Sequence, residues 1–260
     1  MVRKPLRRRA CLALGLAAAL PAWVGADNGA PATIAKVKGS IVAVGTFERL
    51  RNPPFSFAGT GFVVGNGLTV VTNEHVLAKE LAAERNEMLA IAVRGADGSA
   101  QVRTARKRAV DSLHDLALLE IEGVPLPALR LGNSDQVREG ETYLLTGFPI
   151  GAVLGLYPVT HRAMIASLTP IAIPAARADK LDARTLRRLT SGPFVVFQLD
   201  GTAYPGNSGS PVYHPATGDV IGIVNSALVK ATRESALSAP SGISYAIPVQ
   251  KLRALLAGGG

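Results

Sequence analysis

Short apolar segments, separated by glycine, proline and polar residues, recur along most of this 260-residue chain. Apolar runs of about four to eight residues bounded by such turn residues are typical of β-strands, whereas helices show a longer repeat. The pattern therefore predicts an all-β protein, either a barrel or a sandwich. The predicted strands are Ile41–Val44, Gly61–Val64, Leu68–Val71, Met88–Val93, Ala100–Val102, Leu116–Ile121, Thr142–Leu145, Met164–Leu168, Phe194–Leu199, Val212–Tyr213, Val220–Val224 and Ser244–Ile247.

Three segments depart from this strand pattern. Val249–Leu256 has apolar residues at positions 249, 252, 255 and 256, which predicts a closing amphipathic helix. Residues 171–193 are rich in Pro, Ala and Arg, and we interpret them as a solvated insertion. The alternative interpretation is a mobile loop that gates or orders a functional site. A third, cationic segment is interpreted as an exposed loop and contains Arg103, Arg106, Lys107 and Arg108.

The first 26 residues have the organisation of a secretory signal peptide. Five Lys or Arg residues precede an apolar stretch over residues 10–20, and Val24–Ala26 supplies small residues for cleavage. We expect cleavage near Ala26, export to the periplasm or outside the cell, and no stable membrane anchor afterwards. Residues 27–33 are interpreted as a short flexible lead. Cleavage would also remove Cys11, the only cysteine, so no disulfide is expected.

Removing that segment lowers the formal net charge from +9 to +4, because it carries five basic and no acidic residues. This mild charge, together with only 5% aromatic residues and the absence of a zinc-binding spacing, argues against a nucleic-acid partner. The sequence indicates no metal and no other cofactor.

The hexapeptide Gly206–Pro211 reads Gly-Asn-Ser-Gly-Ser-Pro and places Ser208 between two glycines. Glycine tolerates positive φ, so the chain can turn sharply there and leave the serine hydroxyl accessible. Such a turn can direct the amides of Gly206 and Ser208 toward one point, where an oxyanion would be stabilised. The sequence therefore indicates a serine nucleophile, which requires an adjacent base.

Candidates for the base and its orienting acid lie upstream. His75 follows the β-branched run Val70–Thr72, and Asp115 opens a short apolar segment that predicts a buried strand. A histidine can take the serine proton, and a carboxylate fixes its tautomer and stabilises the imidazolium. The chain order His75, Asp115, Ser208 is that of chymotrypsin-type enzymes.

Other hydrolases use the same residue types in a different chain order. An α/β-hydrolase requires Ser, then an acid, then His, but no histidine follows Asp219, the first acid after Ser208. That architecture is excluded for this serine. A subtilisin-like order that uses Asp97 or Asp111 with His161 remains open, although neither acid lies in a supporting motif.

Six short motifs of this chain resemble motifs of the trypsin-like serine peptidases of the bacterial HtrA/Deg type, and they follow one another in the order found in that family. Ser210 replaces the second glycine of that family's Gly-Asn-Ser-Gly-Gly-Pro motif. The chain ends at Gly260, so we expect the protease core without a PDZ domain. The matching segments are Gly59–Val63, Thr72–Val76, Asp115–Leu119, Pro205–Pro211, Val220–Val224 and Ile243–Pro248.

The resemblance implies a two-barrel, all-β fold of the chymotrypsin type with a short C-terminal helix. The N-terminal β-barrel would cover residues 34–128, and the C-terminal β-barrel with its closing helix would cover residues 129–257. The implied catalytic residues are His75, Asp115 and Ser208, at the cleft between the barrels. The implied oxyanion hole is formed by the amides of Gly206 and Ser208.

Three residues are implied for the substrate pocket: Thr202, Ser226 and Ile243. Thr202 lies six residues before Ser208, where trypsin-like preference for Arg or Lys would require an aspartate. Val224 takes the position where glutamyl endopeptidases carry a histidine. An isoleucine at 243 would make the pocket shallow, so cleavage after small or medium aliphatic residues is expected.

These observations together predict an exported serine endopeptidase acting on protein or peptide substrates. An alternative from another class is a binding module or holdase on a protease scaffold. An esterase or other acyl hydrolase would share the chemistry. The intact set of His75, Asp115 and Ser208 favours the endopeptidase.

Overall fold

A computed structural model describes residues 29–77, 80–95, 99–151, 155–171, 194–202, 204–225 and 242–258. The predicted signal peptide, Ser226 and all but Ile171 of the insertion 171–193 lie outside these residues. Neither of the helices α1 (Ala30–Lys38) and α2 (Val249–Gly258), nor any other helix in the described ranges, is long and apolar enough to cross a membrane. The strands are β1 (Ile41–Phe47), β2 (Phe55–Val64), β3 (Thr69–Asn73), β4 (Met88–Arg94), β5 (Ala100–Asp111), β6 (Leu116–Ile121), β7 (Thr142–Gly147), β8 (Val159–Ile171), β9 (Phe194–Asp200), β10 (Pro211–Tyr213), β11 (Val220–Val224) and β12 (Ile243–Pro248).

The strands close into two antiparallel barrels. The first has the strand order β1-β2-β3-β6-β5-β4, and the second has the order β10-β11-β12-β9-β8-β7. Closure leaves neither sheet with an unpaired edge. The predicted two-barrel, all-β fold with a short C-terminal helix is confirmed.

Both faces of strands such as β1 are buried, each in a different apolar cluster. Side chains alternate between the two faces of a strand. In β1, Val42 and Val44 belong to the apolar cluster of the first barrel, whereas Ile41 and Ala43 belong to a cluster shared with the second barrel and α2. This explains why the apolar runs are continuous rather than alternating. The second barrel has its own cluster, which includes Leu145, Ile165, Phe197, Leu199 and Val212.

The connection between the barrels runs from residue 122 to residue 141 and pairs with both. Leu129 forms an isolated bridge with Val64 of β2, and Leu131 forms one with Val220 of β11. The proposed boundary between residues 128 and 129 falls within this connection. Helix α2 packs against the shared cluster through the buried Val249 and Leu252.

The N-terminal helix α1 corrects one expectation. The sequence predicts a flexible lead over residues 27–33, but residues 30–33 form the first turn of α1. Ala30 and Val37 are buried in the shared cluster, so packing stabilises this short helix. Pro31 lies in the first turn, where proline is well tolerated because its missing N–H costs no intrahelical bond.

Several strands are longer than predicted, and β5 and β8 exceed the predicted lengths by the most residues. Strand β5 extends to Asp111, so the cationic segment around Arg106 is a strand paired with β4 and β6, not a loop. Strand β8 begins at Val159 and reaches Ile171. Many residues in both strands are exposed, so their sequences lack the apolar signal on which the prediction depended.

Glu87 anchors the turn before β4 to the end of β1 and to the loop that follows it. Its carboxylate accepts hydrogen bonds from Thr46 at 2.6 Å, from Arg51 at 2.8 Å and from the Ala82 N–H at 3.1 Å. The bonds from Thr46, Ala82 and Arg51 lower the pKa of Glu87 from 4.5 to about 2, despite a smaller opposing effect of burial.

We expect Glu87→Gln to lower the free energy of unfolding at neutral pH by about 1–3 kcal/mol, since partners of a charged group are left behind. Because the folded pKa lies below the unfolded value, the stabilisation is complete above pH 4.5 and is lost as pH falls toward 2. The difference between wild type and variant should shrink over that range in urea titrations. Glu84→Gln, at a side chain 74% exposed, is the matched control. A pH-independent difference would contradict this account.

Candidate active site

Ser208 lies in the turn that joins β9 to β10 of the second barrel. Ser208 is only 5% exposed, and its carbonyl oxygen accepts a hydrogen bond from the Thr60 N–H of the first barrel at 2.9 Å. The Gly209 N–H donates to the Val224 carbonyl at 2.9 Å. The backbone around the serine is therefore fixed by both barrels.

The shape of this turn requires glycine at positions 206 and 209. Gly206 has φ +100° and Gly209 has φ +87°, both in the left-handed region. A Cβ atom on Gly206 would lie 2.3 Å from the Phe148 carbonyl oxygen, and one on Gly209 would lie 2.0 Å from the Thr60 carbonyl oxygen. The sharp turn expected from the sequence is present.

His75 lies between the serine and the acid. It occupies the single 3-10 turn Glu74–Val76 that follows β3. Its Nε2 lies 2.9 Å from Ser208 Oγ, and its Nδ1 lies 2.5 Å from Asp115 Oδ2. The His75 backbone N–H also donates to Asp115 Oδ1 at 2.9 Å, which fixes the carboxylate in two directions.

Asp115 is the last residue of the β5–β6 turn and adopts φ +56°. It is 6% exposed, and its backbone carbonyl accepts from Asn73 Nδ2 at 3.0 Å and from the Glu74 N–H at 3.1 Å. Burial raises the pKa of Asp115, but hydrogen bonds from His75 and Asn225 outweigh it, so the pKa lies below its ordinary value. The group is a carboxylate at neutral pH.

Sequence reasoning missed Asn225, which reaches the acid from the second barrel. Its Nδ2 donates to Asp115 Oδ2 at 2.8 Å, and its backbone N–H donates to the Tyr245 carbonyl at 2.9 Å. The residue is 1% exposed. A polar residue directly after the apolar strand Val220–Val224 was the available signal, because a buried amide requires partners.

The peptide before Gly206 has one defined orientation. The Ile150 N–H donates to the Pro205 carbonyl at 2.8 Å. Carbonyl and N–H of a trans peptide point in opposite directions, so the Gly206 N–H points away from Ile150. Thr60 Oγ1, also missed from the sequence, donates to the Gly206 carbonyl at 2.7 Å. The oxyanion hole of Gly206 and Ser208 stays a prediction that this orientation favours.

We expect Gly206→Ala to lower turnover about 100-fold or more, because the new methyl group must displace the loop that holds this N–H. Steady-state hydrolysis of a peptide substrate measures the effect. Gly140→Ala is the control, since Gly140 has φ +87° but no atom within 4 Å of its added Cβ. Turnover within severalfold of wild type in Gly206→Ala would show that the orientation is not required.

The predicted pocket residues are partly described. Ile243, 45% exposed, is the first residue of β12 and pairs with Asp200 of β9. The Gly201 N–H donates to the Gly242 carbonyl at 3.0 Å, which brings the partly buried Thr202 to the same end of these strands. Ser226 lies outside the described residues, so the pocket stays a prediction.

The subtilisin-like alternative finds no support in the described geometry. Asp111 bonds to His114, with 2.6 Å between its Oδ2 and the histidine Nδ1. His161 has a buried Nε2 without a hydrogen-bond partner in the described ranges, and Asp97 lies outside them. Among the residues described, no three His, Cys, Asp or Glu side chains are arranged to hold a metal ion.

Comparison with known proteins identifies the family of this chain. The model of the trypsin-like peptidase domain matches residues 59–223, well over half of the chain. The chain belongs to the trypsin-like peptidase family. The matched range includes His75, Asp115 and Ser208.

Relatives of this trypsin-like peptidase are of HtrA type. It is 34% identical over 193 residues to the "Probable periplasmic serine endoprotease DegP-like" of Ectopseudomonas mendocina (strain ymp), covering 74% of this chain and 33% of that protein. It is 29% identical over 207 residues to the "Putative serine protease HhoA" of Synechocystis sp., covering 78% and 43%. The chain therefore spans about a third of the length of the DegP-like relatives.

Solved structures support the fold. The chain resembles an HtrA-type protease AlgW with tripeptide at a TM-score of 0.59 and 24% identity, covering 84% of this chain and 59% of that one. It resembles Deg5 at a TM-score of 0.57 and 22% identity, covering 85% and 89%. The resemblance to HtrA-type peptidases inferred from the six motifs is confirmed.

Proposed function

We propose that this chain is a serine endopeptidase that cleaves proteins or peptides through an acyl-enzyme. The observation that carries the proposal is the continuous chain of polar contacts from Ser208 Oγ through His75 to Asp115, with separations of 2.9 and 2.5 Å. A serine hydroxyl at its ordinary pKa is a weak nucleophile, and a base in this position activates it.

In the proposed reaction, His75 Nε2 takes the Ser208 proton as Oγ attacks the scissile carbonyl carbon. Asp115 holds the Nδ1–H tautomer and stabilises the imidazolium that forms. The C–N bond then breaks as His75 gives its proton to the leaving amine. Water, deprotonated by the same histidine, hydrolyses the ester and restores the serine.

The negative charge that develops on the carbonyl oxygen needs fixed donors. The amides of Gly206 and Ser208 are the proposed donors, and each would contribute roughly a hundredfold to a thousandfold in rate. Two hydrogen bonds support this role: the Ile150 N–H donates to the Pro205 carbonyl, and Thr60 Oγ1 donates to the Gly206 carbonyl. They keep the peptide group between Pro205 and Gly206 from flipping.

For specificity we propose small or medium aliphatic residues before the scissile bond. Thr202 carries no charge to attract Arg or Lys, and Val224 is a buried apolar residue that cannot bind a glutamate side chain by hydrogen bonds. The proposed pocket consists of Thr202, Ser226 and Ile243.

We propose that the protein acts in the periplasm or outside the cell. The N-terminal sequence supports export, with cleavage near Ala26, and DegP-like relatives carry the word periplasmic in their names. An oxidising compartment would form no disulfide in the mature chain, which would contain no cysteine.

Digestion of a denatured proteome tests this function and its specificity together. The mature protein should generate new peptide ends after Val, Ala or Ile, and the Ser208→Ala variant should generate none. Cuts dominated by Arg, Lys or Glu would overturn the proposed specificity. Hydrolysis of esters without protein cleavage would indicate an acyl hydrolase, and binding of unfolded protein without cleavage would indicate a holdase.

A further inference from the structure

A second carboxylate–imidazole pair lies directly beside the proposed catalytic acid. His114 Nδ1 and Asp111 Oδ2 are 2.6 Å apart, and both side chains are largely shielded from solvent, with exposures of 13% and 22%. His114 is joined to Asp115 by a single peptide bond. The chemistry proposed above uses neither residue.

The second pair shapes the turn that ends in Asp115. Asp111 Oδ1 accepts the backbone N–H groups of Leu113 at 3.0 Å and His114 at 3.1 Å, so one carboxylate fixes three donors. Asp115 then adopts its left-handed φ of +56°, a conformation that a non-glycine residue keeps only where the surrounding structure imposes it.

The same histidine contacts the second barrel. Its ring packs in a T-shaped arrangement with that of Phe194, the first residue of β9, with the ring centroids 4.8 Å apart and the planes at 79°. Asn225, the residue directly after β11 of that barrel, donates to Asp115 Oδ2. The acid belongs to the first barrel, whereas the serine belongs to the second, so contacts across the cleft determine whether His75 can bridge them.

We propose that Asp111 and His114 are a positioning pair that holds Asp115 in line with His75, and that the His114–Phe194 contact aligns the turn with the second barrel. The inference rests on the proposed function, because it assigns the pair a part in arranging that site. Neither residue contacts the reacting atoms in this account.

Four variants separate the two contacts. His114→Ala removes both, Asp111→Asn removes the ionised partner of the imidazole, and Phe194→Leu removes only the ring contact. His114→Asn keeps a donor near the Nδ1 position but loses the ring. His214→Ala is the control, because His214 also closes a turn, accepting the Ala216 N–H at 3.2 Å, in an exposed loop.

We expect His114→Ala and Asp111→Asn to lower kcat for a peptide substrate by roughly 10- to 100-fold with little change in KM, since small misplacement of a catalytic group has effects of this size. His114→Asn should recover part of the loss, and His214→Ala should match wild type. The double variant Asp111→Asn/His114→Ala should be no worse than His114→Ala, because the two residues act as one unit.

A spectroscopic measurement separates this inference from the proposed function. The proton between His75 Nδ1 and Asp115 should give a far-downfield NMR signal that weakens or shifts in His114→Ala and Asp111→Asn but not in His214→Ala. This signal does not require turnover, so it tests the pair even if the protein proves inactive as a peptidase. Folded variants, verified by circular dichroism, with an unchanged signal and kcat within twofold of wild type would overturn the inference and leave the pair a structural turn.

Discussion

Replacing Ser208 with alanine is expected to lower the turnover of peptide hydrolysis by about a million-fold, the size of effect seen when a catalytic serine is removed. The variant loses the only atom that can form the proposed acyl-enzyme. Its fold should persist, because the bonds that fix this residue, such as that from the Thr60 N–H, involve backbone atoms.

Ser210→Ala is the matched control for this prediction. Ser210 lies two residues away in the same turn, is fully buried, and its Oγ has no hydrogen-bond partner among the described residues. Its removal should leave turnover near the wild-type value. Burst kinetics and steady-state rates on one peptide would measure both variants, and appreciable turnover in Ser208→Ala would mean that another nucleophile acts.

Replacing Asp115 with asparagine is expected to lower turnover by roughly four orders of magnitude with little change in fold. An amide at this position can donate to His75 Nδ1 and so favours the tautomer in which Nε2 carries the proton and cannot accept the serine proton. The amide would also face the Nδ2 donor of Asn225.

Asp135→Asn, at an exposed acid, controls for the general effect of losing one negative charge. Because the folded pKa of Asp115 lies below its ordinary value of 3.8, its ionisation stabilises the fold above that pH, and this stabilisation is lost as pH falls through the folded pKa. Asp115→Asn should remove that part of the acid-side loss of stability. A near-normal rate in this variant would show that the acid has been misassigned.

The sequence was sufficient for strands that are apolar along nearly their whole length. β6 and β11 have the predicted bounds, Leu116–Ile121 and Val220–Val224, because every residue of these strands except Glu120 is buried. The sequence was insufficient for β5. Its exposed Arg and Lys residues pair with the neighbouring strands through backbone hydrogen bonds, and the pattern of apolar and polar side chains does not reveal such pairing. Helix α1 was missed because two buried residues, Ala30 and Val37, are too few to produce a clear period.

The candidate site shows the same division. His75, Asp115 and Ser208 lie in local motifs, so their types and order could be read from the chain. Asn225 and Thr60 act through contacts that form only when the barrels meet. The pair of Asp111 with His114 forms within a single turn, whose shape the sequence does not specify. Their residue types are common in turns and at strand ends, so the sequence does not indicate which groups they bind, whereas the distances in the structure do.

Labelling with a fluorophosphonate tests whether His75 activates Ser208, because this probe reacts with a serine only when a neighbouring base activates it. We predict stoichiometric modification of the mature protein, mapped by mass spectrometry to Ser208, and loss of labelling in His75→Ala. Absence of labelling in the folded wild-type protein, or equal labelling in His75→Ala, would contradict it.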